Sequence, residues 1–399
     1  MRPGLLSLLI ILCALLLTNA PAIAGGRIDL PNGYIDYQSG YFDSGKLDGD
    51  ISGVTIHDNR KIVAEASRLV IKTRPMADSL GMVVERLEID DLLIMDDSTA
   101  VSLGSFYLDG MVVEGVRPSL AALQQLDTDR VQLLETGAIN LKEMDLLDTD
   151  SGIRMYLRSA RMTSLPITYT DPLLLDEHRF DLALEGGSII PDPEYSSNSE
   201  LLDLLAMLGL ERIDFAMESR AQSLFENGGE RLRQTSVLGL ELAGLAGLDI
   251  ELDMSVLGST LKMLEAMQAS GQLQESDDRM METLGPVLLS GIMLNQVRLM
   301  LDDQGLLGLS LDNLAVAAGQ TRQQFVSSMM ALVSLQLGLY APASQALITP
   351  PVQRFLEQGG QLTISLRPAE PVALMALAGF AAVPDTMLSV LGLQIDHQP

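Results

Sequence analysis

One pattern recurs along the chain and constrains its fold more than any other feature. Apolar residues occupy positions i, i+2, i+5 and i+7 of a short segment, an acidic turn follows, and a second alternating segment returns. Three copies carry this pattern, at Leu87–Leu108, Ile139–Leu157 and Ile292–Leu311. Because alternation with a period of two is typical of a strand with one buried face, each copy predicts an antiparallel hairpin. A looser fourth copy begins at Ile213 and turns at Asn227-Gly228.

Each copy contains one residue more than strict alternation allows, between its second and third apolar positions. In the first copy these positions are Ile89 and Leu92. An extra residue is what a β-bulge inserts into one strand, and a bulge bends and twists the hairpin. The sequence therefore predicts bulged hairpins. The alternative is an ordinary meandering sheet, in which such echoes arise without a true repeat.

The second half of the chain mixes helices into this strand pattern. Ser197–Glu200 is a capping box, which starts a leucine-rich helix that ends at Gly209. Amphipathic periodicity and proline positions predict the other helices. These are Pro118–Leu126, Ser255–Ala269, Asp277–Leu289, Thr321–Leu339, a helix ended by Pro350-Pro351, Val352–Gln358 and a last helix opened by Pro384-Asp385.

The predicted fold class is α+β and rich in strands. We expect a curved antiparallel sheet of repeated hairpins, with its concave face covered by helices of the C-terminal half. The predicted organisation is a signal peptide at 1–24, a β-rich region at 25–195 and a mixed α+β region at 196–399. The last region is expected to continue the same sheet.

The N-terminus predicts export. Arg2 precedes an apolar run from Leu5 to Leu17, and Ala22-Ile23-Ala24 follows. A positive start, an apolar segment and an A-x-A site form a secretory signal peptide, and we predict cleavage after Ala24. An uncleaved anchor is the alternative, since this segment is just long enough to span a bilayer. Cleavage would remove Cys13, the only cysteine, and with it disulfides and thiolate chemistry, which favours the bacterial periplasm.

Charge restricts the partners that the chain can have. The 53 acidic and 26 basic side chains give a formal net charge of −27, which repels nucleic-acid phosphates. The uncharged stretch Phe325–Ala341 is the nearest approach to a second membrane span. Its polar residues, Ser327 and Gln336 among them, favour an amphipathic core helix instead. We therefore predict no transmembrane segment after signal cleavage.

Metal ligation has little support in the sequence. His57, His178 and His397 are scattered, and the first two are interpreted as solvated surface residues. Asp148–Gly152 begins like a calcium loop. It lacks the glycine at position six and the glutamate at position twelve, so an acidic hairpin turn is the better interpretation.

Motifs for phosphate binding and nucleophilic catalysis are also incomplete. Gly40–Lys46 has P-loop spacing, but Leu47 stands where Ser or Thr belongs and a strand is predicted to follow. Ser259–Lys262 is an S-x-x-K string without its companion motifs, and Lys262 is interpreted as a helical surface residue. We therefore predict no catalytic, cofactor-binding or metal-binding residues and no cofactor. Carboxylate doublets, such as Asp90-Asp91, leave a cell-wall hydrolase as an alternative.

The segment Tyr37–Ser44, with the alternating strand that follows it, resembles the entry segment of YdgA-like periplasmic proteins. The repeated hairpins resemble the AsmA-like superfamily of envelope proteins. These resemblances imply a curved sheet with an apolar groove and a role in envelope maintenance or lipid handling. We therefore expect a non-enzymatic periplasmic protein that binds a lipid or an envelope protein in this groove. A structural assembly factor without a ligand is a further alternative.

Overall fold

A computed structural model describes most of the chain. The described residues are 25–30, 33–43, 46, 48–58, 61–75, 81–95, 99–109, 111–114, 138–166, 178–192, 194, 205–206, 208–269, 285, 287, 289–380 and 383–399. The predicted signal peptide, the helix at Pro118–Leu126, the capping box at Ser197–Glu200 and most of Asp277–Leu289 lie outside them. The described residues form two compact units.

Unit 1 comprises the described residues up to Leu165 and those within Leu182–Leu202. Its described elements are all strands, and the first residues of the last strand are assigned to unit 2. These strands are β1 (Gly26–Leu30), β2 (Gly33–Tyr37), β3 (Ser39–Asp43), β4 (Asp48–Asp58), β5 (Lys61–Pro75), β6 (Gly81–Met95), β7 (Thr99–Asp109), β8 (Met111–Glu114), β9 (Ala138–Asp148), β10 (Ile153–Pro166) and β11 (His178–Pro191).

Unit 2 comprises the remaining described residues, chiefly those after Asp203. Its strands and helices are β12 (Ile213–Glu226), β13 (Arg231–Leu242), β14 (Ala246–Leu257), α1 (Gly258–Ala269), β15 (Ile292–Asp303), α2 (Leu306–Ala317), α3 (Arg322–Tyr340), α4 (Pro342–Gln358), β16 (Gly360–Leu366), β17 (Val372–Ala373), α5 (Leu374–Phe380), α6 (Pro384–Val390) and β18 (Leu393–Gln398). The predicted β-rich α+β class is confirmed.

The strands of unit 1 pair in an antiparallel sheet. β4, β5, β6 and β7 are neighbours in chain order, β7 then pairs with β9, and β9 pairs with β10. The hairpins predicted at Leu87–Leu108 and Ile139–Leu157 are therefore confirmed as β6–β7 and β9–β10. Alternation of apolar and polar residues produces this arrangement, because successive side chains of a strand point to opposite faces.

The extra residue of these two hairpins takes a form that differs from the predicted bulge. Asp91 and Glu143 have φ angles of 50° and 53°, in the left-handed region. The strand pairing keeps one register on both sides of each. Both lie opposite Gly104 of β7, where an added Cβ would come within 2.8 Å of the Glu143 carboxylate. The left-handed residue thus absorbs the extra position without a shift.

These positions line up across six strands. Gly53 in β4 is also left-handed, with a φ of 63°. It lies opposite Ser67 of β5, which in turn lies opposite Asp91, and Arg158 of β10 lies opposite Glu143. Three residues of this row, Gly53, Asp91 and Glu143, have left-handed backbone conformations. We call this row the crease, formed by Gly53, Ser67, Asp91, Gly104, Glu143 and Arg158.

The crease keeps the apolar side chains on a single face. Leu87 and Ile89 precede it in β6, Leu92 and Ile94 follow it, and all four are buried. The i, i+2, i+5, i+7 pattern that the sequence indicated in β6 and β9 also occurs in β5 and β7, and β4 has it with Gly49 at the first position. Side chains from both sides of the crease form one hydrophobic cluster. Each fully buried aliphatic side chain contributes roughly 1.5–3 kcal/mol to this cluster.

The sheet of unit 2 is more regular. β12 to β16 pair antiparallel in chain order and β18 pairs with β16. The predicted turn at Asn227-Gly228 is confirmed between β12 and β13. Within β12 to β15, all of whose residues are described, none has a positive φ. The third copy of the repeat does contain a true bulge, because the β14–β15 register shifts where Asn295 has no partner.

The return strand predicted at Leu307–Leu311 is wrong, because this segment belongs to helix α2. The Asp303 carboxylate accepts hydrogen bonds from the N–H groups of Gly305 and Leu307, at 3.2 and 2.8 Å. It thereby satisfies donors at the start of a helix and complements the helix dipole. Leu307 and Leu311, four residues apart, share the helix face that packs against α3. The short alternation of leucines fits a helix equally well.

Two other helix boundaries also differ from the prediction. The helix predicted from Ser255 begins at Gly258, because Ser255 to Leu257 complete β14. Helix α4 continues through Pro350-Pro351, where a helix end was predicted. These prolines free the carbonyls of Ala346 and Leu347, both exposed residues, so water can hydrate those groups.

Helix α3 confirms the helix predicted at Thr321–Leu339. The Thr321 hydroxyl accepts a hydrogen bond from the Gln324 N–H, and the Gln324 side chain accepts one from the Thr321 N–H. The predicted stop at Gly209 is confirmed, with a φ of 68°. The final strand, β18, was not predicted. Across the described part of the chain, the structure contains no helix of the length and apolarity needed to cross a membrane.

Candidate functional site

The sheet of unit 2 presents a continuous apolar face. One row across five strands consists of aliphatic side chains in direct cross-strand register, and every one is half-buried: Leu238, Ile250, Leu299, Ile364 and Ile395. The neighbouring rows add further half-buried leucines from the same strands. We call the central part the unit 2 apolar face, formed by Leu238, Leu240, Ile250, Leu252, Leu299 and Ile364.

The bulge in β15 maintains this face. Leu294 and Val297 both point to it, although three positions separate them, because Asn295 occupies the extra position between them. The Asn295 side chain belongs to the opposite face. Its Nδ2 donates to the Asp253 carboxylate at 2.8 Å, and its Oδ1 accepts from the buried Ser255 hydroxyl at 3.3 Å. The extra residue therefore joins the polar face instead of interrupting the apolar one.

An ion pair extends that polar network. The Arg233 guanidinium lies 2.5 Å from the Asp253 carboxylate. Burial raises the pKa of Asp253, but hydrogen bonds from Arg233 and Asn295 outweigh it and hold that pKa below its usual value. Charge-assisted bonds of this kind fix the three strands to one another. Arg233, Asp253 and Asn295 are thus hydrogen-bonded to one another on the polar face.

Helix α4 covers one margin of the sheet. The ring of Phe355 meets the ring of His397 edge to face, with centroids 6.4 Å apart. The Nε2 atom of His397 is 2.8 Å from the Gly359 carbonyl oxygen, and Leu362 beside it is buried. Where helix α4 covers the sheet, at this margin, the Leu362 side chain is fully buried, whereas the side chains of the central rows are half-buried.

A polar side chain interrupts the apolar surface at the other margin. Ser223 of β12 lies opposite Gln234, on the same face as Met254. Its hydroxyl is buried and has no hydrogen-bond partner among the described residues. A buried unpaired hydroxyl costs roughly 1–3 kcal/mol. The hydrogen-bonding capacity of the polar group at this margin is therefore less well satisfied than that of the polar network on the opposite face.

The site residues considered in the sequence are dispersed in the structure. The described residues contain no group of three or more side chains able to hold a metal together. His57 was interpreted as a solvated residue, which is wrong. Its side chain is 13% exposed and stacks on Tyr34 at 4.2 Å between centroids, with Nε2 3.6 Å from the Asp36 carboxylate. His178 begins β11, and His397 bonds to the backbone as described above.

The remaining motifs have structural roles. A strand, β4, follows the Gly40–Lys46 string, as predicted. The Asp148 carboxylate accepts bonds from the Asp150 N–H and the Ser151 hydroxyl, as expected of an acidic turn. Ser259 and Lys262 are exposed on α1. Asp303 caps α2 and Asp302 accepts a bond from Gln304, so this doublet belongs to a turn.

Sequence reasoning did not identify the unit 2 apolar face, because its alternation resembles that of the buried face in unit 1. One sequence difference accompanies the two faces, although it does not by itself reveal which face is covered. The strands of unit 1 carry the extra position at the crease, whereas β12, β13 and β14 pair without an extra position.

Comparison with known proteins adds one match. A family model described as "Uncharacterized protein" matches residues 239–398. The matched segment begins within β13 and ends in β18, so it lies in unit 2 and contains most of the unit 2 apolar face. No curated protein matches the chain. The chain is thus similar to an uncharacterized family over the unit that carries the candidate site.

Proposed function

We propose that the protein binds the acyl chain of a lipid on the unit 2 apolar face. A single observation carries this proposal: five aliphatic side chains form a row across five strands and remain half-buried. Burial of such side chains is favourable at roughly 25 cal/mol for each Å² removed from water. A ligand that covers the row therefore gains free energy without any polar contact.

The chemistry of the row favours an acyl chain over other apolar ligands. Leu238, Ile250 and Leu299 are branched aliphatic residues, and no aromatic side chain occurs within the row to stack on a ring. With strands about 4.8 Å apart, five strands extend the row over roughly 19 Å. This is an extended, featureless surface, suited to an extended hydrocarbon.

The cellular setting forms part of the same proposal. The A-x-A signal pattern supports export to the periplasm, and the resemblance to AsmA-like proteins supports a role in the envelope. On this proposal the protein holds or carries lipid and catalyses no reaction.

Ligand binding can be tested with a fluorescent reporter, because the chain contains no tryptophan. A Leu238→Trp variant carries one indole on the face. We expect its emission to shift to shorter wavelength when a long-chain fatty acid is added, and we expect mass spectrometry of organic extracts to find co-purified lipid. The absence of both a shift and a lipid would overturn the proposal.

A matched pair of variants locates the site. Ile250→Asn places an amide in the central row, whereas Val237→Asn places one on the opposite face of the same sheet, where Val237 is exposed. We expect the first to weaken fatty-acid binding about tenfold or more and the second to leave it unchanged. Equal effects of the two would assign the lipid to another surface.

A further inference from the structure

The hairpin of helices α3 and α4 carries no charge over most of its length. Residues 323–353 include no Asp, Glu, Lys, Arg or His, although 20% of the chain is charged. These 31 residues form α3 after its first residue, the turn at Ala341 and α4 as far as Gln353. In a chain of net charge −27 this is a distinct neutral surface.

One face of α3 in this hairpin is apolar and exposed. Leu332, Leu335 and Leu339 follow one another at i, i+3 and i+7 and are 58%, 62% and 72% exposed, and Tyr340 beside them is 73% exposed. The opposite face of α3 buries Val326 and Met330 against its neighbouring helices. The exposed stripe is therefore not required for packing within the helix cluster. An apolar stripe of this kind marks an interaction surface.

Further exposed apolar residues lie near the end of the hairpin. Val383 is 51% exposed and stands two residues before Asp385, which binds the start of α4. The Asp385 carboxylate accepts hydrogen bonds from the Ala343 and Ser344 N–H groups and from the Ser344 hydroxyl, at 3.0, 2.9 and 2.8 Å. The helix dipole and these donors compensate its charge. We call Leu335, Leu339, Tyr340 and Val383 the hairpin tip.

We propose that the hairpin tip inserts into the surface of a lipid membrane with zwitterionic headgroups. Insertion of leucines at the headgroup boundary is favourable, and a tyrosine there keeps its hydroxyl in the polar layer. The tip has no basic side chains to attract anionic lipids, and the acidic body is repelled by them. Charge therefore selects a zwitterionic surface. This inference does not rest on the proposed acyl-chain site.

The exposed area argues against a second copy of the chain as the occupant. A stable interface between proteins buries about 800 Å² on each partner. The four side chains of the hairpin tip supply roughly 100 Å² each, or about half of that area. A membrane surface sets no such minimum, because insertion needs only the apolar side chains themselves.

Vesicle flotation tests the proposal on the full purified protein. We expect it to float with phosphatidylcholine vesicles and to float less when phosphatidylglycerol is added. The double variant Leu335→Glu, Leu339→Glu should reduce the bound fraction about tenfold or more, because each carboxylate must enter the apolar layer. Val316→Glu is the matched control, since Val316 is 78% exposed on α2 and lies outside the tip. It should float as the unchanged protein does.

Two results would overturn the proposal. One is flotation of the double variant equal to that of the unchanged protein, with both folded by circular dichroism. The other is an unchanged protein that does not bind vesicles and is a dimer by light scattering, while the double variant is a monomer. That result would assign the stripe to contact between two copies of the chain. Fatty-acid binding by the double variant separates the two proposals. If this variant no longer floats with vesicles but still binds fatty acid, the substitutions have affected the hairpin tip and not the unit 2 apolar face.

Discussion

Units 1 and 2 both contain antiparallel strands with one apolar face, but the two faces differ in burial. In unit 1 the apolar side chains on both sides of the crease are buried in one cluster. In unit 2 the side chains of the central rows are half-buried, and full burial occurs where a helix packs on the margin of the sheet. The same pattern of alternation therefore serves as a core in one unit and as a candidate binding surface in the other.

The backbone also differs between the two units. Asp91 and Glu143 adopt left-handed conformations in line with Gly53. The strands β12 to β15 have no left-handed residue, and the bulge at Asn295 affects one strand alone. Aligned left-handed positions therefore accompany the buried face, and the strands without them carry the half-buried face.

Truncation of one leucine on each apolar face should produce the greatest difference in stability. Leu103 of unit 1 is 1% exposed, whereas Leu240 of unit 2 is half-buried. Leu103→Ala should lower the free energy of unfolding of unit 1 by about 3–5 kcal/mol, and Leu240→Ala should lower that of unit 2 by about 1 kcal/mol. Hydrogen exchange followed by mass spectrometry resolves the two units in urea. Similar losses in free energy of unfolding at Leu103 and Leu240 would contradict the difference in burial between the two faces.

The crease itself can be tested at Glu143, whose φ is 53°. Glu143→Val places a β-branched residue in the left-handed region and should destabilise unit 1 by about 1–2 kcal/mol. Glu143→Gly should be neutral or stabilising by up to about 1 kcal/mol, because glycine adopts this conformation without strain. Urea unfolding measures both. A valine variant as stable as the glycine variant would show that the left-handed backbone is not needed.

A smaller gain in stability is expected at Ser223 in unit 2. Ser223→Ala removes a buried hydroxyl that has no partner among the described residues, and should raise the free energy of unfolding of unit 2 by about 1 kcal/mol. The matched control is Ser219→Ala in the same strand, a half-buried residue. Denaturant midpoints of the two variants should differ. Equal midpoints would mean that the Ser223 hydroxyl is already satisfied.

The smallest expected effect is a pH dependence confined to unit 2. The hydrogen bond from the Ala343 N–H, with those from Ser344, lowers the pKa of Asp385. A lowered pKa in the folded state means that the stabilisation is present above the unfolded carboxyl pKa of about 3.9 and is lost as pH falls through the lower folded value. Asp385→Asn should therefore lower the melting temperature at neutral pH and flatten its decline in acid.

The control for this prediction is Asp396→Asn, at an exposed position in β18. It should leave the acid profile of unit 2 unchanged. Unit 1 should show no difference between the two variants by hydrogen exchange. An Asp385→Asn profile identical to that of the unchanged protein would contradict the assigned role of Asp385 at the start of α4.

Much of the fold could be predicted from local pattern. The β6–β7 and β9–β10 hairpins, the turn at Asn227-Gly228 and helix α3 with its capping box all followed from spacing and turn chemistry. The errors arose where two structures fit one pattern. Leu307 to Leu311 suit a strand or a helix, and in the structure the Asp303 carboxylate accepts hydrogen bonds at the start of α2. No local signal predicted that α4 would continue through Pro350-Pro351.

The candidate site could be predicted less well than the fold. The sequence suggested an apolar groove but did not locate it, because the alternation around Ile250 and that around Leu103 both predict a strand with one apolar face. Packing distinguishes them, and packing depends on residues far apart in the chain. His57 illustrates the same limit, since its stacking on Tyr34 needs the register between β2 and β4.

Local sequence was enough to predict one apolar and one polar face in each unit, because side-chain direction alternates with every residue of a strand. It also contained the extra residue that keeps Leu87, Ile89, Leu92 and Ile94 on one side. Which apolar face is covered could be learned from the three-dimensional structure alone. Coverage depends on strand register and on where helices such as α4 pack. Both involve contacts distant in sequence, which local pattern does not encode.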